Sequence, residues 1–391
     1  MMHNKNNNTL NKEKKDFSDN LEALEALDLV KIKNFDDLAR GLSKTAFGAR
    51  QLGEAVDVTE AMMTDGECFK VLTLSGAMTM AKMGLVICEM IDSGMVDVII
   101  STGALISHGF VESVGLTHFK NPDGITDETL REMKINRVYD TLEPEENLDE
   151  MNHIVEKVFE KIDASRPTTS YEICYELGRY LSENVKGRGI LKSAYLKKVP
   201  VIIPAFTDSE MGLDVALFNR KRKIEDKPIL IFDSFKDLDF YTDLIFKAKK
   251  TGIFTIGGGV PRNWAQQVAP YLDLIRYHIV DKEDASKYLL TDTNSPYNKP
   301  FSYAVRICPE PVHWGGLSGC TYSESVSWGK IIPKSKGGKY AEVFCDATIA
   351  WPIIIKAVME RLEKKEYGKS RNSQEIKTLN SATAQGQRIK I

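Results

Sequence analysis

The sequence predicts an α/β fold, an open and mostly parallel β-sheet with helices on both faces, built as a single large domain. Three observations carry that prediction. Short runs of β-branched and apolar residues alternate with longer segments of helical period, the pattern of repeated βα units. Three of the short runs end in small or hydroxylated residues, as strands do where a sheet meets a ligand. Between the polar ends of the chain there is no internal repeat and no linker that would divide a core.

Strands are expected at 68–74, 96–101, 199–206, 228–232, 252–256, 274–279, 303–307 and 341–344. Helices are expected at about 80–93, 148–162, 171–183, 238–250, 261–269 and 349–365. Asp346 is a good cap for the last of these, and Pro352 inside it predicts a kink or a later start. Residues 119–147, with turn signals and many acids, read as an irregular surface segment with short helical pieces. A second weakly patterned stretch covers 284–302. Residues 1–20 and 366–391 are polar and read as mobile tails flanking a 21–365 domain.

The chain has 391 residues, 42% hydrophobic and 27% charged, ample for a large core. A net charge of −3 provides no field toward nucleic acid or an anionic membrane. The apolar runs fall short of the roughly 20 residues a spanning helix needs, and the first residues do not read as a secretory signal. Six cysteines without a CxxC pair read as buried free thiols of a cytoplasmic protein, and the six scattered histidines suggest no metal site.

The sharpest local feature is TIGGGVPRNW, 255–264, an apolar strand running into three glycines and a helix opened by Pro261. Glycines there let backbone amides approach a phosphate, though a tight turn without a ligand has the same look. The endings SGAM at 75–78 and STGA at 101–104 are similar, and three such endings suggest one nucleotide crevice. In PAFTDSEMGLD, Asp208 suits a ribose or an amine, or a helix cap. Asp214, six residues on, is a weaker candidate. The run HWGGLSGCTYSESVSWGKI, 313–331, reads as a shaped loop entering a short helix near 323–329. An aromatic, apolar surrounding there would favour a neutral, nucleophilic Lys330, though an isolated lysine after a glycine is usually a solvated surface charge.

Taken in order, STGA, PAFTD, GGGV, SVSWGK and the final CDAT resemble the deoxyhypusine synthase family over about residues 35–365. The resemblance implies a Rossmann-like fold, NAD as cofactor, and a homotetramer with active sites between subunits. It implies cleavage of spermidine or a related polyamine through a Lys330 imine and transfer of the aminobutyl group to an acceptor amine. By position it gives Gly76, Ala77, Met78, Thr79, Met80, Thr102, Gly103, Ala104, Asp208, Gly259, Asp346 and Ala347 to the cofactor. Glu324, Trp328, Asp214, His108, Trp264 and Gly315 fall to the substrate side, with Lys330 catalytic.

Departures from the pattern bear on specificity. His108 and Leu317 stand where eukaryotic members carry acids, and Trp264 where they carry a histidine. Asp214 is offset by one residue from a family aspartate, with Leu213 as the other occupant of that place. Such changes resemble the bacterial and archaeal deoxyhypusine-synthase-like branch. They leave open a protein lysine, a small amine acceptor as in homospermidine synthases, or a silent NAD-binding scaffold.

Overall fold

A computed structural model of the protein describes residues 21–280 and 298–364. The expected tails at 1–20 and 366–391, and most of the 284–302 stretch, lie outside the described residues. The chain enters through α1 (Phe35–Ser43) and α2 (Phe47–Thr64), neither of which the sequence reading placed. There follow β1 (Cys68–Leu74), α3 (Gly84–Asp92), β2 (Val98–Ser101) and α4 (Gly103–Ser113). The segment expected to be irregular instead forms β3 (Phe119–Lys120), α5 (Asp127–Glu132), β4 (Ile135–Val138) and β5 (Thr141–Pro144). These strands pair antiparallel in a small sheet of order β3-β5-β4. They are too short to show a period-two pattern, which explains the missed assignment.

Next come α6 (Glu145–Phe159), α7 (Ser170–Asn184), α8 (Ile190–Lys197), β6 (Val201–Ile202), α9 (Glu210–Ile224) and α10 (Ser234–Lys247). The second half contains β7 (Lys250–Ile256), α11 (Gly259–Gln266), α12 (Val268–Ile275), β8 (Tyr303–Ile307), α13 (Tyr322–Ser327), β9 (Lys339–Val343) and α14 (Ala347–Lys364).

Two expected strands are absent. Residues 228–232 make a single bridge, Phe232 to Thr168. The neighbouring Leu230 gives its N–H and carbonyl to the Asn219 side chain, so its backbone needs no ladder. Residues 274–279 continue α12 into a helical turn at Arg276–Val280. An apolar run that short is ambiguous between strand and helix, and burial of Val268, Ala269 and Leu272 shows the helical period. The last helix begins at Ala347 with Asp346 accepting from Thr348 N–H, and it runs on through Pro352 rather than starting there.

The main sheet is parallel throughout, in the order β6-β2-β1-β7-β8-β9. Alternate residues serve opposite faces. Leu72, Leu74, Ile99, Phe254 and Val305 join one apolar cluster, and Val71, Val98, Ile100, Ile253 and Ala304 join another. Each face is therefore sealed by helices, as parallel strands require. From β1 the chain goes outward to β2 and β6, then returns to β7 on the other side of β1 and continues to β8 and β9. The direction of winding reverses between β1 and β7, where open α/β sheets place their ligands. Among the described residues no helix is long and apolar enough to cross a membrane.

Candidate active site

Register aligns the strand ends. Leu74 pairs with Ser101 on one side and Ile256 on the other, and Ile256 pairs with Ile307, which pairs with Val343. The loops that leave these ends are stitched together. The Ser75 hydroxyl donates to the Gly258 carbonyl across the switch point. The Thr102 hydroxyl donates to Gly76 O at 2.6 Å. Gly103 lies so close to Ser209 that an added Cβ would meet its side chain at 2.3 Å. Asp208, just before that serine, is exposed at the end of the β6 loop.

This crevice suits a dinucleotide. Gly76 and Gly259 hold φ of +71° and +62°, a conformation that favours glycine, and both are exposed. Gly259 opens α11, whose N-terminus has no side-chain cap. Ala77, Met78, Thr102 and Ala104 are half-buried around the same loops. Other expected cofactor residues do structural work. Thr79 is fully buried and donates to Leu105 O at 2.8 Å, Met80 and Ala347 lie in the interior, and the Asp346 carboxylate caps α14.

Lys330 is linked to these loops through the helix that the glycine loop opens. The turn before it, Gly329 at φ +67°, ends α13 and sends the chain into a bridge between Ile331 and Phe301. Phe301 N–H donates to the Lys330 carbonyl at 2.9 Å, so the backbone is fixed. The lysine is 8% exposed. Its Nζ donates to Asn263 Oδ1 at 3.1 Å and stands 5.6 Å from the Trp328 ring centre. Burial, followed by the nearby Arg262 charge, holds its pKa below the ordinary lysine value, while Cys320 and Glu324 oppose the shift.

Arg262 is itself buried and donates to the carbonyls of Ser318 and Cys320 at 3.2 and 2.7 Å. Arg306 reaches the same two carbonyls and pairs with Glu342 at 2.8 Å. Gly258 presses on this turn, since a Cβ there would meet Ser318 Cα at 2.7 Å. The glycine loop, the 318–320 turn and Lys330 thus form one packed unit. Trp328 is 64% exposed beside it, and Glu324 on α13 and Gly315 on the preceding loop are exposed as well.

His108 and Asp214 gather elsewhere, in a second cluster. His108 Nδ1 is 2.8 Å from Glu143 Oε2, and His118 Nε2 is 2.9 Å from Glu143 Oε1. Burial would raise the Glu143 pKa, but pairing with both histidines outweighs it and holds the carboxyl at about 2. Burial would lower that of His108, but Glu143 raises it above the ordinary value. These three side chains have the composition of a metal site. Lys82, however, lies 3.1 Å from His118 Nδ1, and an ammonium can only donate. His118 therefore gives its Nε2 proton to Glu143, whose other oxygen faces His108. Glu210 Oε1 stops 3.7 Å from His108 Nε2. Asp214 accepts from Asn152 at 2.8 Å, and burial pushes its carboxyl up to about 6. Trp264 stacks on Tyr241 at 5.2 Å, while its neighbour Asn263 reaches the lysine.

Sequence reasoning missed Asn263, Arg262, His118, Glu143 and Glu210. Only Asn263 and Arg262 had a signal, their place one turn into the helix opened by the glycines.

Fold and site together define an α/β protein with glycine-rich loops at the sheet's switch point and a buried lysine reaching the helix that one of them opens. Residues 37–358 match the deoxyhypusine synthase family, and the chain belongs to that transferase family. It is 33% identical over 334 residues to "Probable deoxyhypusine synthase 2" of Methanosarcina acetivorans, covering 85% of this chain and 88% of the relative. It is also 33% identical over 323 residues to a "Deoxyhypusine synthase-like protein" of Chlorobaculum tepidum, covering 82% and 85%. A crystal structure of an Entamoeba histolytica protein assigned as a deoxyhypusine synthase superposes with a TM-score of 0.54 at 16% identity. It covers 86% of this chain and 97% of that one, a likeness of fold.

Proposed function

We propose that the protein is an NAD-dependent aminobutyl transferase that cleaves spermidine or a related polyamine through an imine on Lys330. The observation that carries this reading is the Lys330 amine itself, 8% exposed and packed against the helix that the glycine loop opens. NAD, when bound, supplies the oxidation of the donor amine and the final reduction. The residues suited to hold it are Gly76, Thr102, Asp208 and Gly259.

The chain's own contribution centres on a neutral nucleophile. The oxidised donor is an iminium: neutral Lys330 Nζ bonds to its carbon, one proton passes from Nζ to the donor nitrogen, the bond from that carbon to the donor nitrogen breaks to release a neutral amine, and a protonated imine remains on Lys330. The acceptor amine, a small amine or a protein lysine, then displaces Lys330 in the same manner. Trp328 offers an aromatic face, and Glu324 a carboxylate, to the ammonium groups of a polyamine. Trp314, Leu317 and Trp328, 77%, 81% and 64% exposed, make an apolar rim that supports covering by a second copy in a homotetramer.

Borohydride added to protein incubated with NAD and spermidine is expected to fix an aminobutyl adduct on the peptide holding Lys330, read by mass spectrometry. Lys330→Ala should give none. An unmodified Lys330 in the wild type would exclude spermidine as donor. Running the same incubation with putrescine, agmatine and candidate proteins identifies the acceptor by which one is consumed.

A further inference from the structure

Both ends of Lys330 are fixed, the backbone by the Phe301 bridge and the amine by Asn263. Asn263 lies on α11 four residues after Gly259, so the helix that begins in the glycine loop also presents the amide to the lysine. An amide oxygen accepts an N–H from an amine or an ammonium but carries no charge, so it orients the group without stabilising the ammonium as a carboxylate would. The adjacent Arg262, 5% exposed and tied to the 318–320 turn, is a fixed positive charge that opposes protonation.

We propose that Asn263 is a positioning residue for Lys330: it accepts one N–H of the amine, turns the lone pair away from α11, and holds the group without favouring its charged form. This rests on reading Lys330 as the nucleophile, and nothing in the sequence pattern assigned Asn263 a role. The bland account is that Asn263 is a surface polar residue whose contact with Lys330 is incidental.

The test uses the full chain and needs neither NAD nor polyamine. Reductive methylation with formaldehyde and cyanoborohydride, read at Lys330 by peptide mass spectrometry across pH, reports when the amine becomes neutral. Lys236, exposed on α10, is the internal control for intact protein. Asn263→Asp, of nearly equal shape, is expected to move the Lys330 midpoint upward by about one pH unit, so labelling at pH 7 falls about tenfold. Asn263→Leu removes the acceptor without adding charge, and its midpoint is expected to stay or fall. A profile for Asn263→Asp superimposable on wild type would overturn the proposal, as would an upward shift in both variants, which signals a loosened pocket. Because labelling is independent of substrate, a failed spermidine trap and a failed Asn263 shift are separate results.

Discussion

Lysine amines are charged at neutral pH unless something makes the ammonium costly. At Lys330 that cost comes from burial and then from Arg262, while Asn263 supplies contact without charge. The Trp-Gly-Lys motif marked the lysine, but its partners Asn263 and Arg262 are 67 and 68 positions away, and nothing in the sequence linked them to it. The same holds for Glu143, which lies in a segment read as irregular and proves to be buried between two histidines. Its pH dependence follows from the two shifts. His108 has a raised folded pKa, so its contribution is complete below the unfolded value of about 6.5 and is lost as pH rises through the folded one. Glu143 is depressed from 4.5 to about 2, so its contribution is complete above 4.5 and is lost as pH falls toward 2. Glu143→Gln is therefore expected to cost about 3–5 kcal/mol between pH 5 and 6, and less at alkaline pH. Urea denaturation at the two pH values measures this, and an equal loss at both would refute the charged His108–Glu143 pair.

At the scale of elements, the connection from β7 to α11 governs the site because the loops after β1 and β8 both press on it. Gly258 has φ −168°, which any residue adopts, so its requirement is space rather than backbone freedom. A methyl group there would strike the Ser318 backbone, which Arg262 and Arg306 hold in place. Gly258→Ala is expected to destabilise the fold by about 1–3 kcal/mol, as overpacking does. It should also displace the 318–320 turn, so that Lys330 labelling changes even in protein that remains folded. Thermal melts together with the labelling profile check both effects, and a variant neutral in each would show that the turn yields. The run of three glycines was legible in the sequence. The partner pressing on the middle one was not, because it is 60 residues distant.

For the whole molecule, α1 and α2 are joined to α14 by an ionic knot centred on the buried pair of Arg361 and Asp36. Arg361 on α14, 2% exposed, pairs with Asp36 at 2.6 Å, Asp57 at 2.7 Å and Glu60 at 2.8 Å. Lys364 adds a second contact to Asp36 at 2.9 Å. Arg361→Met keeps much of the volume but leaves Asp36 buried with one fewer partner. It should lower unfolding free energy by about 3–5 kcal/mol. Urea denaturation in low and high salt checks this, and because that pair is buried the loss should persist in high salt.

By itself the sequence determined the class of fold, the order of most β-strands and helices, and the glycine loop. Each is a local pattern, set by side-chain period, backbone freedom or a contiguous motif. Only the tertiary structure decided that 274–279 is helical, that 119–144 folds into a second sheet, and which residues surround Lys330 and His108. Those outcomes depend on partners tens to hundreds of residues apart in the chain, brought together when both faces of the parallel sheet are buried.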